Sequence, residues 1–274
     1  VFPEQFTYHK ATSVADAIRL LGEVEDAKLI AGGHSLLPAM KLRLAAPAAL
    51  IDISKVAELK SITVDAKGAT IGGAVTYREI QKSAALAQAL PILGEVANVV
   101  GDPQVRSRGT LGGSLAHSDP AADYPAVLLA LGASVTAVGA GGSRTISCDD
   151  LFVDLLTTSL DENEVLTSIQ IPTGAKVAYE KHAHPASGYA VVGVAAAIVD
   201  GKVRIAVTGA TTKATRASAA EAALAGKALT AENIAAAAAK AAEGLEINGD
   251  VYASAEYRAH LIGVLTRRAL AKLA

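Results

Sequence analysis

The pair Asp200-Gly201 constrains the chain more than any other feature of its sequence. It stands between two apolar runs, "YAVVGVAAAIV" and "KVRIAVTGA". Asp-Gly accepts the left-handed backbone that a two-residue hairpin demands, so the two runs are expected to pair as antiparallel strands. A third run, "AYEKHA", precedes them and reads as another strand. From Arg216 onward the pattern is helical, in "ASAAEAALAG", "TAENIAAAAAKAAEGL" and "SAEYRAHLIGVLTRRALAKL". Alanine favours helix and allows close packing. Residues 173–274 are therefore expected to form an antiparallel sheet with a helical bundle.

A chain of 274 residues is long for one compact core, and two or three subdomains are expected. Before residue 173 the periodicity changes repeatedly. "TSVADAIRLLGEV" has helical spacing, with Ser13 as cap and Asp16 completing a marginal capping box. "KLIA" and "ALIDI" read as strands of a βαβ pattern, which gives a first unit over residues 1–57. In residues 58–172, "SITVD", "ATIGG", "ASVTAVG", "SRTIS" and "EVLTSIQIP" read as strands. "TYREIQKS" is expected to be a helix with a Thr76/Glu79 capping box. "ALAQALPILGEVANVVG" is helical but interrupted at Pro91, and "AADYPAVLLALG" is a helix closed by Gly132.

Composition removes several function classes. The formal net charge of -2 offers no basic surplus for nucleic acid or an anionic membrane. Hydrophobic residues make up 51% and charged residues 19%, ample for a buried core and against disorder. The single cysteine, Cys148, excludes an internal disulfide and any four-cysteine iron–sulfur or zinc site within the chain. "VFPEQFTYHK" lacks a basic start followed by an apolar stretch, so no secretory leader is expected. The alanine-rich third is broken by polar residues every few positions and is not expected to span a membrane.

Two stretches carry candidate chemistry, "LIAGGHSLLPAMK" and "GTLGGSLAHSDPAADYP". In both, an apolar run ends in a glycine pair, Gly32-Gly33 and Gly112-Gly113, with polar residues close behind. Missing Cβ atoms let backbone N–H groups close around an anion. His34, Ser35 and Ser114 add side-chain donors. A strand-ending turn explains either loop alone; two such loops suggest two jaws on one ligand. Neither G-x-G-x-x-G after a strand nor G-x-x-x-x-G-K-[ST] is present, which argues against a Rossmann site or a P-loop. Asp123 would sit near a helix start, where it complements the helix dipole or accepts hydrogen bonds from sugar hydroxyls. His182 and His184 alternate on a strand and share a face, but no third metal ligand is near in sequence. Tyr189 reads as a core residue by pattern. Cys148 has no neighbouring base that would make it a nucleophile.

"AGGHSLLPAMK" and "TLGGSLAHSDPAADYP" resemble the two flavin-binding motifs of the FAD-binding subunits of molybdenum hydroxylases, in particular those of aerobic carbon monoxide dehydrogenases. Xanthine dehydrogenases carry a similar domain within a longer chain. The resemblance extends over nearly the whole sequence, through "FPEQFTYHKATSVADAIRLL", "DENEVLTSIQIP" and "ASAEYRAHLIGVLTRRAL". It implies an α+β protein: a p-cresol methylhydroxylase-type FAD-binding fold of two α/β subdomains, followed by the C-terminal sheet and helices. It implies that Ala31, Gly32, Gly33, His34 and Ser35 wrap the FAD diphosphate together with the stretch Thr110 to Ser114 (Thr110, Gly112, Gly113 and Ser114 among them), and that Leu36 belongs to the cofactor site as well. By the same resemblance, Lys28, Leu29 and Ile30 lie beside the adenosine half, and Asp123 contacts the ribityl chain or flavin. Leu166 touches the flavin or adenine side, Lys181 lies near the flavin ring, and Tyr189 stands close to the isoalloxazine. Ser114 departs from the asparagine common in the family, and position 189 is variable.

The function implied is an electron-transfer subunit. Partner chains would hold a molybdopterin cytosine dinucleotide (large subunit) and two [2Fe-2S] clusters (small subunit), in a dimer of heterotrimers that passes electrons to a quinone or other acceptor. The substrate oxidised on the large subunit would be carbon monoxide, an aldehyde or an N-heterocycle. The complex would be cytoplasmic, or peripheral at the inner face of the membrane. The competing readings are a free-standing FAD-dependent oxidoreductase with its own substrate pocket, and a non-catalytic scaffold whose glycine loops are turns.

Overall fold

The computed structural model describes residues 2–274, and three main sheets follow one another along the chain. The first is parallel, in the order β1-β3-β2, built from β1 (Thr7–Lys10), β2 (Ala27–Ile30) and β3 (Ala49–Asp52). Helix α1 (Val14–Glu23) crosses from β1 to β2. Ser13 accepts the Asp16 N–H at 3.0 Å. Asp16 turns its carboxylate to the Thr12 N–H (2.9 Å), not to that of Ser13, so the expected capping box is only half made. Ala17, Leu20 and Leu21 of α1 pack in one core with Ile51 and Ile53. In this parallel sheet Ile30 and Asp52 are register partners at the strands' C-terminal ends. The first glycine loop therefore leaves from the edge where open α/β sheets bind ligands. It runs straight into a short helix, α2 (Leu36–Lys41).

The second sheet is antiparallel, in the order β4-β5-β10-β6-β7. Its strands are β4 (Ile62–Asp65), β5 (Gly68–Gly72), β6 (Ser134–Gly139), β7 (Gly142–Ser147) and β10 (Val165–Ile171). A small ribbon of β8 (Phe152–Asp154) and β9 (Thr157–Thr158) follows α9 (Cys148–Leu151). Between β5 and β6 the chain makes six helices. In α3 (Tyr77–Lys82) both halves of the Thr76/Glu79 capping box form. Pro91 divides α4 (Ala84–Ala89) from α5 (Pro91–Val99) and serves as the first residue of the latter, where its missing N–H costs nothing. Then come α6 (Pro103–Arg108), α7 (Leu111–His117) and α8 (Asp123–Leu131), the last closed by Gly132 at φ 68°.

The third sheet is antiparallel, β11-β12-β13-β14: β11 (Lys176–Ala183), β12 (Ala190–Val199), β13 (Lys202–Thr208) and β14 (Thr215–Arg216). Asp200 (φ 49°) and Gly201 (φ 72°) make the expected hairpin turn. Strand β12 is apolar throughout because it is covered on both faces. Ala195 and Ala197 enter the core that contains α8. Val192, Val194 and Ala196 enter a second core with α10 (Ser218–Leu224), α11 (Ala231–Ala239) and α12 (Ala255–Ala271). Each such valine contributes about 1.5–3 kcal/mol by burial. The protein is thus α+β, with mixed helix and sheet before a C-terminal antiparallel sheet and helices.

Candidate functional site

The first glycine loop is an open nest. Gly33 has φ 73°, a conformation that a branched residue adopts only with strain. Among the described residues, the backbone N–H groups of Gly33, His34 and Ser35 have no acceptor within the chain. Three successive unspent donors at the end of a parallel strand suit a diphosphate. Lys28 is exposed, whereas Leu29, Ile30, Ala31 and Leu36 are half-buried along the approach to the loop. His34 is exposed, its Nδ1 3.1 Å from the Gly32 carbonyl oxygen.

The second motif differs from its sequence reading. Gly112 and Gly113 do not follow a strand; they lie in the first turn of α7, capped by Thr110. The backbone donors of that turn are already used. Leu111 N–H goes to Val75 O (3.0 Å), Gly112 N–H to Gly73 O (3.1 Å), Gly113 N–H to Thr110 Oγ1 (3.1 Å) and Ser114 N–H to Thr110 O (3.0 Å). This jaw offers the Ser114 hydroxyl and a bare Gly113 surface in place of spare amides. Gly112 is small for another reason: a Cβ there would stand 2.5 Å from the Gly73 carbonyl oxygen. The jaws do meet, because a Cβ on Gly32 would overlap the carbonyl of Arg108, just before Thr110.

Beyond Ser114 lies a polar cluster under an aromatic floor. Tyr77 and Tyr124 stack with centroids 5.1 Å apart. Burial pushes the Tyr77 hydroxyl up to about 12, against the opposing hydrogen bond of Ser114. Asp123, the first residue of α8, is 5% exposed. It accepts the Tyr179 hydroxyl at 2.6 Å and pairs with Lys181 Nζ, 2.9 Å from Oδ1 and 3.0 Å from Oδ2. Lys181 Nζ also donates to the Val99 carbonyl at 3.0 Å. Burial raises the Asp123 carboxyl, and Lys181 and Tyr179 oppose that rise. Gly193 on β12 makes room for this, since a Cβ there would overlap the Tyr179 hydroxyl.

The remaining expected residues fall around this cluster. Tyr189 is 49% exposed, not the core residue its pattern suggested. Burial and the charges of Asp119 and Asp123 raise its hydroxyl. Leu166 is buried in β10, and its carbonyl abuts Gly73, the residue against which Gly112 packs. Cys148 is buried and its thiol is pushed up to about 12, which makes it inert. His182 stands edge-on to Tyr257 and His184 edge-on to Tyr252, so each imidazole has an aromatic neighbour.

Three residues of the cluster were not expected. Tyr77 and Tyr179 carry no motif; only the packing of α3 on α8, and of β11 on α8, brings them to the cluster. Ser118 is 2% exposed and left-handed (φ 51°), and its hydroxyl has no partner among the described residues. Its position just after the second glycine pair was the available signal. Together these residues fit FAD: open amides for the diphosphate, hydroxyls and a carboxylate beyond it, and aromatic rings beside them.

Comparison with known proteins agrees. Residues 4–174 match the family described as FAD binding domain in molybdopterin dehydrogenase. Residues 177–273 match the CO dehydrogenase flavoprotein C-terminal domain. The chain is 38% identical to the carbon monoxide dehydrogenase medium chain of Hydrogenophaga pseudoflava, over 98% of this chain and 97% of that one. It is 40% identical to the nicotine 6-hydroxylase medium subunit of Paenarthrobacter nicotinovorans, over 96% and 95%. A solved structure of the Hydrogenophaga pseudoflava carbon monoxide dehydrogenase, lacking the Mo-pyranopterin moiety of its molybdenum cofactor, superposes with a TM-score of 0.94 at 41% identity, covering 99% of this chain and 98% of that one. With its open amide nest, its buried Asp123–Lys181 pair and this likeness from end to end, the chain belongs to the FAD-binding medium subunits of the carbon monoxide dehydrogenase and molybdenum hydroxylase family.

Proposed function

We propose that this chain is the electron-relay subunit of a molybdenum hydroxylase complex. It takes electrons from two [2Fe-2S] clusters on a small partner and hands them to an external acceptor such as a quinone. A large partner bearing molybdopterin cytosine dinucleotide oxidises the substrate, and the assembly is a dimer of heterotrimers. Bound FAD supplies the redox chemistry, and the chain supplies binding, orientation and electrostatics. The open amides of Gly33, His34 and Ser35 hold the diphosphate, with Ser114 opposite. Lys28, Leu29 and Ile30 flank the adenosine half, and Leu166 touches the flavin or adenine side. Asp123 has lone pairs to spare after Tyr179 and Lys181, so it also accepts a ribityl hydroxyl. Lys181 and Tyr189 border the isoalloxazine.

One observation carries the choice of relay over self-sufficient enzyme. Asp123 is the one buried carboxylate among the described residues, and it is held by an ammonium and a phenol. A carboxylate so engaged is a poor proton-abstracting base. Similar identity to relatives named for carbon monoxide and for nicotine means that this chain does not select the substrate. Carbon monoxide is the substrate we favour, ahead of an aldehyde or N-heterocycle. Among the described residues no helix is long and apolar enough to cross a membrane. We place the complex in the cytoplasm or at the inner face of the membrane. The test is anaerobic spectroscopy. The isolated FAD-loaded chain should stay oxidised with carbon monoxide, an aldehyde or an N-heterocycle, and lose its flavin absorption with dithionite. Bleaching of the isolated chain by any of these substrates would overturn the relay assignment.

A further inference from the structure

The segment 184–189, "HPASGY", joins β11 to β12 and ends in Tyr189. Its shape is organised around one imidazole. His184 Nδ1 accepts the N–H of Ala186 at 3.2 Å and that of Ser187 at 3.3 Å. The His184 backbone closes the same loop: its N–H donates to Tyr189 O (2.8 Å), and its carbonyl accepts the Gly188 N–H (2.9 Å). The ring is held from outside by Tyr252, edge-on at 4.4 Å. A side-chain acceptor taking the N–H groups two and three residues on is the geometry of an Asx turn or helix cap. Pro185, with its fixed φ, stiffens the turn from within.

The loop leads to the cofactor cleft. Ala190 N–H donates to the Ala121 carbonyl (3.4 Å), which places Tyr189 beside the turn that enters Asp123. The register of β11 with β12 ends at Ala183 and Ala190, short of Tyr189, whose ring is half exposed. Its position therefore depends on the internal bonds of the loop.

We infer that His184 is a positioning residue, whose unprotonated Nδ1 holds the 184–189 loop in the one shape that sets Tyr189 against the flavin. The inference rests on the reading that the cleft holds FAD with its isoalloxazine beside Tyr189. Asparagine is the informative substitution. Its Oδ1 stands the same number of bonds from the backbone as Nδ1 and accepts the same N–H groups, whereas alanine accepts none.

The test uses the FAD-loaded chain and two readouts. Flavin emission reports an adjacent tyrosine, which quenches it, and amide exchange at Ala186 and Ser187 reports the loop itself. Tyr189→Leu sets the emission of an unquenched flavin. His184→Ala should brighten the flavin toward that level and speed exchange at both amides on the order of tenfold, as for a lost hydrogen bond. His184→Asn should keep emission and exchange close to the parent. The role of His184 is overturned if His184→Ala leaves both unchanged, or if His184→Asn behaves like His184→Ala. If Tyr189→Leu itself does not brighten the flavin, the placement of Tyr189 beside it fails, and the inference falls with that placement. A chain that binds no FAD at all sinks the underlying reading instead.

Discussion

Replacing Lys181 with methionine tests the buried cluster most directly. Its ammonium and the Asp123 carboxylate are each only 6% exposed, and they lie 2.9 Å apart. Removing one partner of such a pair leaves an uncompensated charge and costs about 3–5 kcal/mol. The Tyr179 hydroxyl still donates to Asp123 at 2.6 Å, which puts the expected loss near the lower end, about 3 kcal/mol. The loss must depend on pH. Burial already raises the Asp123 carboxyl, and without Lys181 it rises further. A folded state that binds the proton more tightly than the unfolded chain loses stability as pH climbs from the unfolded value, near 3.9, through the folded one. Each pH unit in that window costs about 1.4 kcal/mol. Urea unfolding of Lys181→Met should therefore show a small deficit near pH 4.5 and the full deficit at pH 8. The double variant Lys181→Met/Asp123→Asn, which buries no charge, should recover most of it. An equal deficit at both pH values, or a double variant no better than the single one, refutes the argument that Lys181 compensates Asp123. FAD titration of Asp123→Ala should show binding weakened by roughly 1–3 kcal/mol, one charge-assisted hydrogen bond.

Two further outcomes follow from the geometry. Gly33→Val should abolish FAD binding, because valine is strained at φ 73° and its branches crowd the open amides; Gly113→Val should do so because its Cβ would stand 2.7 Å from the Thr110 Oγ1 that caps α7 and its branches would cover the exposed Gly113 surface. Full flavin occupancy in either folded variant would exclude the two-jaw site. Asp149 bonds Arg204 at 2.6 Å and Arg216 at 2.9 Å, and against the push of burial these hold its carboxyl low. That contribution is present above the unfolded value and is lost as acid protonates Asp149, below about pH 4. With its side chain 38% exposed, screening limits the contribution to roughly 0.5–1 kcal/mol. Asp149→Asn should lower the melting temperature at pH 7 and progressively less as pH falls below about 4, through the depressed folded value of Asp149; an effect that does not shrink in acid would remove the ion pairs from the account.

What the sequence conveyed depended on whether the signal was local. Asp200-Gly201, the Thr76/Glu79 box and Pro91 act through their own backbone, and each does in space what its residue type requires. Helix α6 had a local signal that went unread, Asp102 as cap followed by Pro103, because it is short and lacks apolar spacing. Helix α7 was disguised by its glycines, which are poor helix formers kept there by the close approach of Gly73 and by the Thr110 cap. Strand β1 has half-buried or exposed residues throughout and is a strand only because β3 pairs with it. In the site, glycine pairs and Asp123 were visible as motifs, but the partners that fix Asp123 come from β11, more than fifty residues on, and only the folded sheet brings them together.

The double coverage of β12 bears on how the molecule can be cut. In sequence the two family matches part between residues 174 and 177, which invites expression of the halves. The core does not part there. Every residue of α8, inside the first match, is buried, and its cluster includes Ala195, Ala197 and Ala206 from the second. A fragment ending at residue 174 would uncover that helix and lose Tyr179 and Lys181 from Asp123, while the complementary fragment would bare one whole face of its sheet. Each piece would present the other's missing surface as an adhesive patch. The chain should therefore melt as one cooperative unit, and a protease should find its first productive nicks elsewhere, at exposed segments such as 184–189.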